Sequence, residues 1–165
     1  MKKLFQLLTI CLISVLYGQN EFTSKLKVTV VKVYDGDTFT VKDKNNLVYK
    51  IRLGLIDAPE LSQEFGVQSR NQLNHLVINK SVNLKCLEKP DMYGRYICLV
   101  FLKTVNINEK MIKTGYAWYY PEYDNDLKSR IKLNTLQIKA DKKNLGLWIG
   151  IIPEEPWLYR KSKRN

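Results

Sequence analysis

Three β-type segments follow one another closely between Lys25 and Leu55, and two acidic turns separate them. Val, Ile, Thr and Tyr alternate with polar residues in "KLKVTVVKV", "DTFTV" and "LVYKIRLGL", a pattern that is typical of half-buried strands. The turns are "YDGD" at 34–37 and "DKNN" at 43–46, whose Asp, Asn and Gly residues favour tight reversals of the chain. This part of the chain is therefore predicted to be a three-stranded meander.

Two further strands and three helices are predicted after the meander. The strands cover 82–87 and 95–102, and the helices cover 65–80, about 106–115 and about 124–143. Five strands with helices inserted late indicate an α+β, mainly β protein and match the strand count of a five-stranded OB-fold barrel. Strand counting alone leaves other small β barrels open.

The last predicted helix carries two apolar stripes instead of one. They are formed by Leu127, Ile131 and Ile138 on one side, and by Leu133, Leu136 and Ala140 nearly opposite. One stripe is expected to meet the barrel. The other is expected to be covered by the tail "WIGIIPEEPWLY", in which Trp157 and Tyr159 are large enough to do so. The final "RKSKRN" is expected to be a mobile basic end.

The charge of the chain favours an anionic partner. Lys and Arg total 27 against 16 Asp and Glu, which gives a formal net charge of +11 in 165 residues. A basic surface attracts polyanions such as nucleic acid, although the same charge can serve solubility alone. Hydrophobic residues make up 45% of the chain, which indicates one globular domain and excludes a disordered protein.

Residues 1–18 are predicted to be a secretory signal peptide. "MKK" is a basic start, "LFQLLTICLISVLY" is apolar, and Gly18 is small enough to precede the cleavage site. Cleavage there removes two lysines and lowers the net charge from +11 to +9. A secreted or periplasmic protein is expected, with its folded domain at 22–150 and a tail at 151–165. Leu16 occupies position −3 of this cleavage site and is larger than the Ala that is usual there. An uncleaved membrane anchor is therefore the alternative.

Cys86 and Cys98 remain after Cys11 leaves with the signal peptide. Each lies on a predicted strand on either side of one turn, so a cross-strand disulfide is possible if these strands pair. Export to an oxidising compartment favours the bridge. The alternative is a pair of reduced core cysteines, and neither has the spacing of a metal site.

Two carboxylates lie at the ends of neighbouring predicted strands. Asp37 precedes the second strand, and Asp57 follows the third in "IRLGLIDAPE", so both side chains can reach one point. Carboxylate and carbonyl oxygens are the ligands that calcium prefers. The single histidine, His75, is expected on the surface of a helix away from them, which argues against zinc. Solvated acids in an ordinary turn are the alternative interpretation of Asp37.

Two arginines are expected to face the same point. Arg52 precedes Asp57 on one strand, and Arg95 follows "DMYG" at the mouth of the next hairpin. A planar guanidinium makes paired, charge-assisted hydrogen bonds with phosphate. Two arginines, a calcium ion and a carboxylate around one phosphodiester would form a hydrolysis site. An internal ion pair for Arg52 and a solvated Arg95 are the alternatives.

The chain resembles the staphylococcal nuclease (thermonuclease) family in five landmarks. These are, in chain order, "DGDT", "IRLGLIDAPE", "FG", "DMYGR" and "LGLW". The resemblance covers roughly Lys25 to Trp148. It implies an OB-fold barrel with three helices and calcium-dependent hydrolysis of DNA and RNA, in which the bond to the 5′ oxygen breaks.

The resemblance also implies roles for the acids. Asp37 and Asp57 match the calcium carboxylates, and Ala58 stands where a backbone carbonyl ligand of the family comes from. Asp35 matches a nearby acid that supports the metal ligands. Glu60 matches the acid that orients or deprotonates the attacking water.

For substrate, the resemblance implies that Arg52 and Arg95 bind phosphate and that Tyr93 lies near the terminal phosphate. The family's lysine-bearing loop is missing because the segment after Glu60 is shorter, and Met92 replaces a lysine. Both departures are expected to weaken the grip on the substrate backbone more than the chemistry.

The base-stacking tyrosines of the family do not align cleanly with this chain. "WYYPEY" offers Tyr119, Tyr120 and Tyr123, of which Tyr120 is taken as the candidate. Aromatic faces stack on bases without sequence preference, and core packing is the alternative for each.

Two other functions stay open at this level. One is a non-catalytic OB-fold module that binds nucleic acid, and the other is an anchored surface protein whose basic face adheres to acidic polymers. Nothing in the sequence implies a stable protein partner, so a monomer is expected.

Overall fold

The computed structural model describes residues 22, 24–150 and 153–164. The predicted signal peptide and its cleavage site lie outside these residues. Among the helices of this described part, none has the length and apolar character that a membrane crossing requires.

Five of the strands form a closed barrel. The strands are β1 (Ser24–Val33), β2 (Thr38–Lys42), β3 (Val48–Leu53), β4 (Ile56–Asp57), β5 (Ser81–Cys86), β6 (Arg95–Leu102), β7 (Val105–Asn106) and β8 (Trp118–Tyr119). β1 pairs antiparallel with β2 and β5, while β3 pairs with β2 and β6 pairs with β5. The barrel closes where β3 and β6 pair in parallel. The short strands β4 and β8 pair with each other, and β7 extends β6. The predicted OB-fold barrel is confirmed.

Four α-helices occur in the described residues, one more than predicted. They are α1 (Gly66–Val77), α2 (Ile107–Lys113), α3 (Leu127–Lys142) and α4 (Pro156–Ser162), with short 3-10 turns at Pro121–Tyr123 and Gly146–Trp148. The first three correspond to the predicted helices. The additional helix α4 begins with Pro156, whose fixed φ suits the first helical position.

The barrel interior is filled by the inward-facing residues of the meander and by the first two helices. The side chains of Phe39, Val41, Ile51 and Leu53 are at most 1% exposed. Their alternation with outward residues is the period-two pattern seen in the sequence. α1 and α2 close the core from one end with Leu73, Val77, Met111 and Ile112.

The two stripes of α3 have different surroundings. Leu133 packs in the barrel core, and Ala140 packs in a second cluster with Trp118, Leu147 and Trp148, so the second stripe is the buried one. Leu127, Ile131 and Ile138 are 68%, 61% and 44% exposed. The expectation that the tail covers this first stripe is therefore wrong. Trp157 of the tail packs against Trp118 and Tyr120 instead, and Tyr159 contacts Ser62.

Cys86 and Cys98 form a disulfide. The two residues lie directly opposite each other in the β5–β6 pairing, with their Cα atoms 4.0 Å apart. The bridge decides between the two alternatives left by the sequence. It also ties together the ends of the hairpin that carries Asp91, Tyr93 and Arg95.

Candidate active site

A tight turn presents Asp37 at the start of β2. One side-chain oxygen of Asp35 accepts hydrogen bonds from the backbone N–H groups of Asp37 (2.9 Å) and Thr38 (2.6 Å), which is the geometry of an Asx turn. Gly36 is required in this turn because a Cβ there would collide with Ser69 of α1. Asp35 was expected to support the metal ligands, and it does lie beside Asp37 as the side chain that shapes the turn.

The carboxylate of Asp37 is buried and oriented from two sides. The hydroxyl of Thr38 donates to its Oδ1 at 2.9 Å, and the N–H of Ala58 donates to its Oδ2 at 3.1 Å. Nη2 of Arg52 lies 3.5 Å from the same Oδ2. The sequence did not single out Thr38, although the neighbouring position in "DGDT" makes its hydroxyl available to Asp37.

Arg52 is fixed inside the turn between β3 and β4. Its Nη1 donates to the carbonyl oxygens of Leu53 (3.0 Å) and Ile56 (3.1 Å), and its Nη2 donates to Oδ1 of Asp57 at 2.9 Å. Arg52 is 8% exposed and Asp57 is 1% exposed. Because one guanidinium nitrogen lies near both Asp37 and Asp57, the structure brings the two predicted acids to one point.

Arg95 reaches this point through the parallel closure of the barrel. Lys50 of β3, which lies two residues before Arg52, pairs with Arg95 of β6. The Nε and Nη2 atoms of Arg95 both lie 2.8 Å from Oδ2 of Asp91, and its guanidinium lies 5.2 Å from the ring centre of Tyr93. Arg95 is thus held by an ion pair and a ring, and the solvated alternative does not apply.

Burial alone would raise the pKa of Asp91, but hydrogen bonds from the backbone and side chain of Arg95, and the charge of that side chain, more than offset it. The pKa of Asp91 is therefore lowered. Asp91 stays ionised at neutral pH and keeps the guanidinium of Arg95 in place.

Glu60 begins the loop that leads from β4 to α1. Its N–H donates to Oε1 of Gln63 at 3.2 Å, and its side chain is 38% exposed. Gly66 allows the loop to fold closely, since a Cβ at that position would collide with the carbonyl oxygen of Glu60. The "FG" landmark therefore has a physical reason that bears on the placement of Glu60.

Arg160 of α4 is a site residue that the sequence analysis missed. Its Nη2 donates to Oδ2 of Asp57 at 2.6 Å, and its Nη1 contacts Oδ1 of Asp57 (3.2 Å) and Oε1 of Glu60 (2.9 Å). Arg160 belongs to "RKSKRN", which was expected to be a mobile basic end. That expectation is wrong for Arg160, because two carboxylates hold its guanidinium.

The candidate tyrosines differ in their surroundings. Tyr93 is 63% exposed at the rim, and Tyr120 stacks on Trp157 with ring centres 5.4 Å apart. Tyr119 is held by structural contacts, since its hydroxyl donates to Asp124. Of the three tyrosines in "WYYPEY", the structure places Tyr120 in the cleft, and the side chain of Tyr123 lies outside the description.

Burial raises the pKa values of two acids in the cleft, Asp35 and Asp57. It raises the pKa of Asp35 to about 7, and the negative charge of Asp37 adds to the rise. Burial also raises the pKa of Asp57, while hydrogen bonds from Arg160 act against that rise. The acids are therefore crowded enough to need compensating positive charge.

All the predicted site residues line one open cleft of about 390 Å³. Its walls carry Asp35, Asp37, Arg52, Asp57, Ala58, Glu60, Tyr93, Arg95 and Tyr120, together with Asp91, Arg160 and Arg164. His75 is exposed on α1, as expected. Acids at the bottom and arginines around them suit a ligand that combines a cation with phosphate groups.

The donor set can be compared with what a metal ion requires. Within the described ranges, no group of three or more His, Cys, Asp and Glu side chains forms a ready-made metal site. Asp37 and Asp57 approach one guanidinium nitrogen, and Ala58 adjoins them. Two carboxylates and a backbone carbonyl are hard oxygen donors, so the residues fit a cation of the calcium type and not zinc.

The closed barrel with its cleft of acids and arginines defines an OB-fold protein with a charged site, and comparison with known proteins identifies its family. Residues 50–150 match the family model described as "Staphylococcal nuclease homologue". The chain therefore belongs to the staphylococcal nuclease family.

Three relatives show how far the similarity extends. An uncharacterized endonuclease of Haemophilus influenzae is 42% identical over 82% of this chain and 73% of its own. An uncharacterized endonuclease of Escherichia coli is 38% identical over 81% of this chain and 84% of its own. A probable staphylococcal-like nuclease of rice, CAN3, is 38% identical over 71% of this chain but only 30% of its own length.

Proposed function

We propose that this protein is an exported, calcium-dependent nuclease that hydrolyses phosphodiester bonds of DNA and RNA. Membership in the staphylococcal nuclease family makes it a nuclease, a hydrolase that acts on nucleic acid. The choice of calcium, the bond that breaks and the export of the chain are the further parts of the proposal.

One observation carries the proposal. The parallel pairing of β3 with β6 places Arg95 in the same cleft as Arg52, while the meander places Asp37 and Asp57 at its base. The loop after β4 adds Glu60 to the same cleft. Nothing in the packing of a barrel requires three acids and two arginines to converge in this way.

The residues divide the chemistry between them. Arg52 and Arg95 donate hydrogen bonds to the phosphate and counter the charge that grows on its oxygens in the transition state. Glu60 accepts the proton of the attacking water, whose oxygen forms a new bond to phosphorus. The bond between phosphorus and the 5′ oxygen breaks, and the leaving 5′ oxygen takes a proton from solvent water, so the products are a 3′-phosphate and a 5′-hydroxyl.

Asp37, Asp57 and the carbonyl of Ala58 would hold the calcium ion, which when bound supplies positive charge to a phosphate oxygen and lowers the pKa of water. The contacts of Thr38 and Ala58 keep the Asp37 carboxylate turned into the cleft. The protein thus fixes the orientation of the Asp37 carboxylate before the calcium ion or the substrate binds.

Substrate binding outside the scissile phosphate is assigned to two tyrosines. Tyr93 is exposed beside Arg95, so it can lie against a terminal phosphate or its sugar. Tyr120 lies in the cleft and can offer a ring edge to a base. Both contacts tolerate any base, which suits a nuclease that acts on DNA and RNA.

Two features support export. The first 18 residues have the pattern of a secretory signal peptide. The Cys86–Cys98 disulfide suits an oxidising compartment, where such bridges persist. N-terminal sequencing of the mature protein tests this part, and an intact Met1 would support the anchored alternative.

Digestion of single-stranded DNA and of RNA, with calcium or with a chelator, tests the enzyme. We expect both substrates to be degraded only with calcium, and end-group analysis to find 5′-hydroxyls. Asp37→Asn should abolish the activity. Asp126→Asn is the matched control, since Asp126 is an exposed acid that caps α3. Binding without degradation in every tube would favour the non-catalytic module.

A further inference from the structure

Both oxygens of the most buried acid in the cleft are already held by guanidinium groups. Oδ1 of Asp57 accepts from Arg52 at 2.9 Å, and Oδ2 accepts from Arg160 at 2.6 Å. Arg160 also bridges from Asp57 to Glu60, whose Oε1 lies 2.9 Å from Nη1. One tail arginine therefore neutralises two of the three acids that the proposed function requires.

The position of Arg160 is built into the fold by contacts of the described part of the tail. Nε2 of Gln63 donates to the carbonyl oxygen of Glu154 at 2.6 Å, and the hydroxyl of Tyr159 contacts Ser62 at 3.0–3.1 Å. The ring of Trp157 packs against Trp118 and Tyr120, with ring centres 5.9 and 5.4 Å apart. The Arg160 contact is therefore the end point of a docked helix and not a chance pairing on a loose chain.

A guanidinium and a divalent cation make opposing demands on these acids. Both are attracted to the same carboxylate oxygens, and the two positive charges repel each other at short distance. A cation bound through Oδ2 of Asp57 would lie within a few ångströms of Nη2 of Arg160. Removing the guanidinium must therefore strengthen the attraction of the site for a cation.

We propose that Arg160 is an internal competitor of the divalent cation for Asp57 and Glu60, so that it sets the calcium affinity of the site. Docking of the α4 guanidinium and binding of calcium then oppose each other. This inference rests on the proposed calcium site. It adds the residue that determines how much calcium is needed to fill that site.

A calcium titration of the full chain, measured by isothermal titration calorimetry, tests the inference without any substrate. Arg160→Gln should bind calcium about tenfold more tightly than wild type. Arg160→Lys keeps the charge and should stay within about threefold of wild type. The matched control is Arg164→Gln, which removes the same charge from the same cleft wall, at a residue without the Asp57 contact. It should also change the affinity by less than about threefold.

Circular dichroism of each variant shows that the titrated protein is folded. Calcium binding by Arg160→Gln that equals or is weaker than wild type, in folded protein, would overturn the competition while leaving the calcium site intact. Equal tightening by Arg164→Gln would also overturn it, because general charge would then explain the effect. No calcium binding by wild type or any variant would instead remove the proposed calcium site itself, and the competition with it.

Discussion

Two arginines approach Asp57 from opposite ends of the chain, and they are held in different ways. Arg52 is five residues away in sequence, is 8% exposed and donates to two backbone carbonyls as well as to the acid. Arg160 is 103 residues away, and its side chain is 35% exposed. The barrel side of the site is thus part of the core, while the tail side is an added contact that can be exchanged for another cation.

The largest expected effect comes from removing the barrel-side arginine. Arg52→Gln removes one of the two guanidinium partners of the buried Asp57 and leaves two carbonyl groups without their donor, so we expect the free energy of unfolding to fall by about 3–5 kcal/mol. Arg160→Gln breaks a partly exposed pair and should cost about 1 kcal/mol or less. Urea denaturation of both variants measures the difference. Equal losses would show that the two sides are not distinct.

Replacing Arg95 tests whether an arginine that is held by an acid of its own hairpin contributes to catalysis. Arg95→Ala should reduce kcat by 10²–10³-fold, equivalent to about 2.7–4 kcal/mol of barrier, because a fixed donor to the transition state is lost. Arg70→Ala is the control and should keep its activity, because Arg70 lies on α1 and its guanidinium donates to the side chain of Asn71. A rate loss below tenfold in folded protein would remove Arg95 from the mechanism.

Removing the disulfide should loosen only the wall of the cleft that carries Arg95. Cys86→Ser with Cys98→Ser opens a loop with a sequence separation of 12, and we expect a loss of about 2–4 kcal/mol in the free energy of unfolding. Since the bridge ties the hairpin of Arg95, kcat should fall as well. Calcium affinity should stay unchanged, because Asp37 and Asp57 lie on the other wall. A large loss of calcium affinity would show that the walls are coupled.

The smallest expected effect is a pH dependence at Asp91. Its lowered pKa means that the folded state prefers the ionised form, so its stabilising contribution is present above pH about 4 and is lost as the pH falls through the lower folded-state pKa. Asp91→Asn should therefore be less stable than wild type by about 1 kcal/mol at pH 7, and this difference should shrink as the pH falls below about 4. Urea denaturation at several pH values measures this, and a constant difference across the range would contradict it.

Local patterns predicted the barrel wall of the site well. Asp37 directly precedes β2, and Asp57 lies in the short strand β4 that follows β3, the neighbour of β2. The period-two spacing of Phe39 and Val41, and of Ile51 and Leu53, matches their burial in the core. Arg52 and Asp57 are close in sequence, so their pairing needed only a tight turn. These features depend on contacts between neighbours along the chain, which a sequence displays directly.

Contacts between distant segments could not be predicted in the same way. Strand counting did not reveal that β3 and β6 would pair in parallel, and no periodic pattern links Arg160 to Asp57. The available signal was Pro156 followed by Trp157 and Tyr159, which together indicate a short helix with a packing face. The two stripes of α3 were visible, but a stripe alone does not show which segment will lie against it.

The parallel pairing of β3 with β6 has a consequence for the cell that synthesises this protein. A nascent chain that has not yet reached residue 95 already contains Asp37, Asp57 and Glu60 but lacks the second arginine of the proposed site. A chain that is complete but unfolded keeps the two guanidinium groups far apart. The proposed hydrolysis therefore depends on the pairing of β3 with β6, so a chain in which these strands are unpaired should degrade the transcripts and chromosome of the producing cell far more slowly than the folded protein.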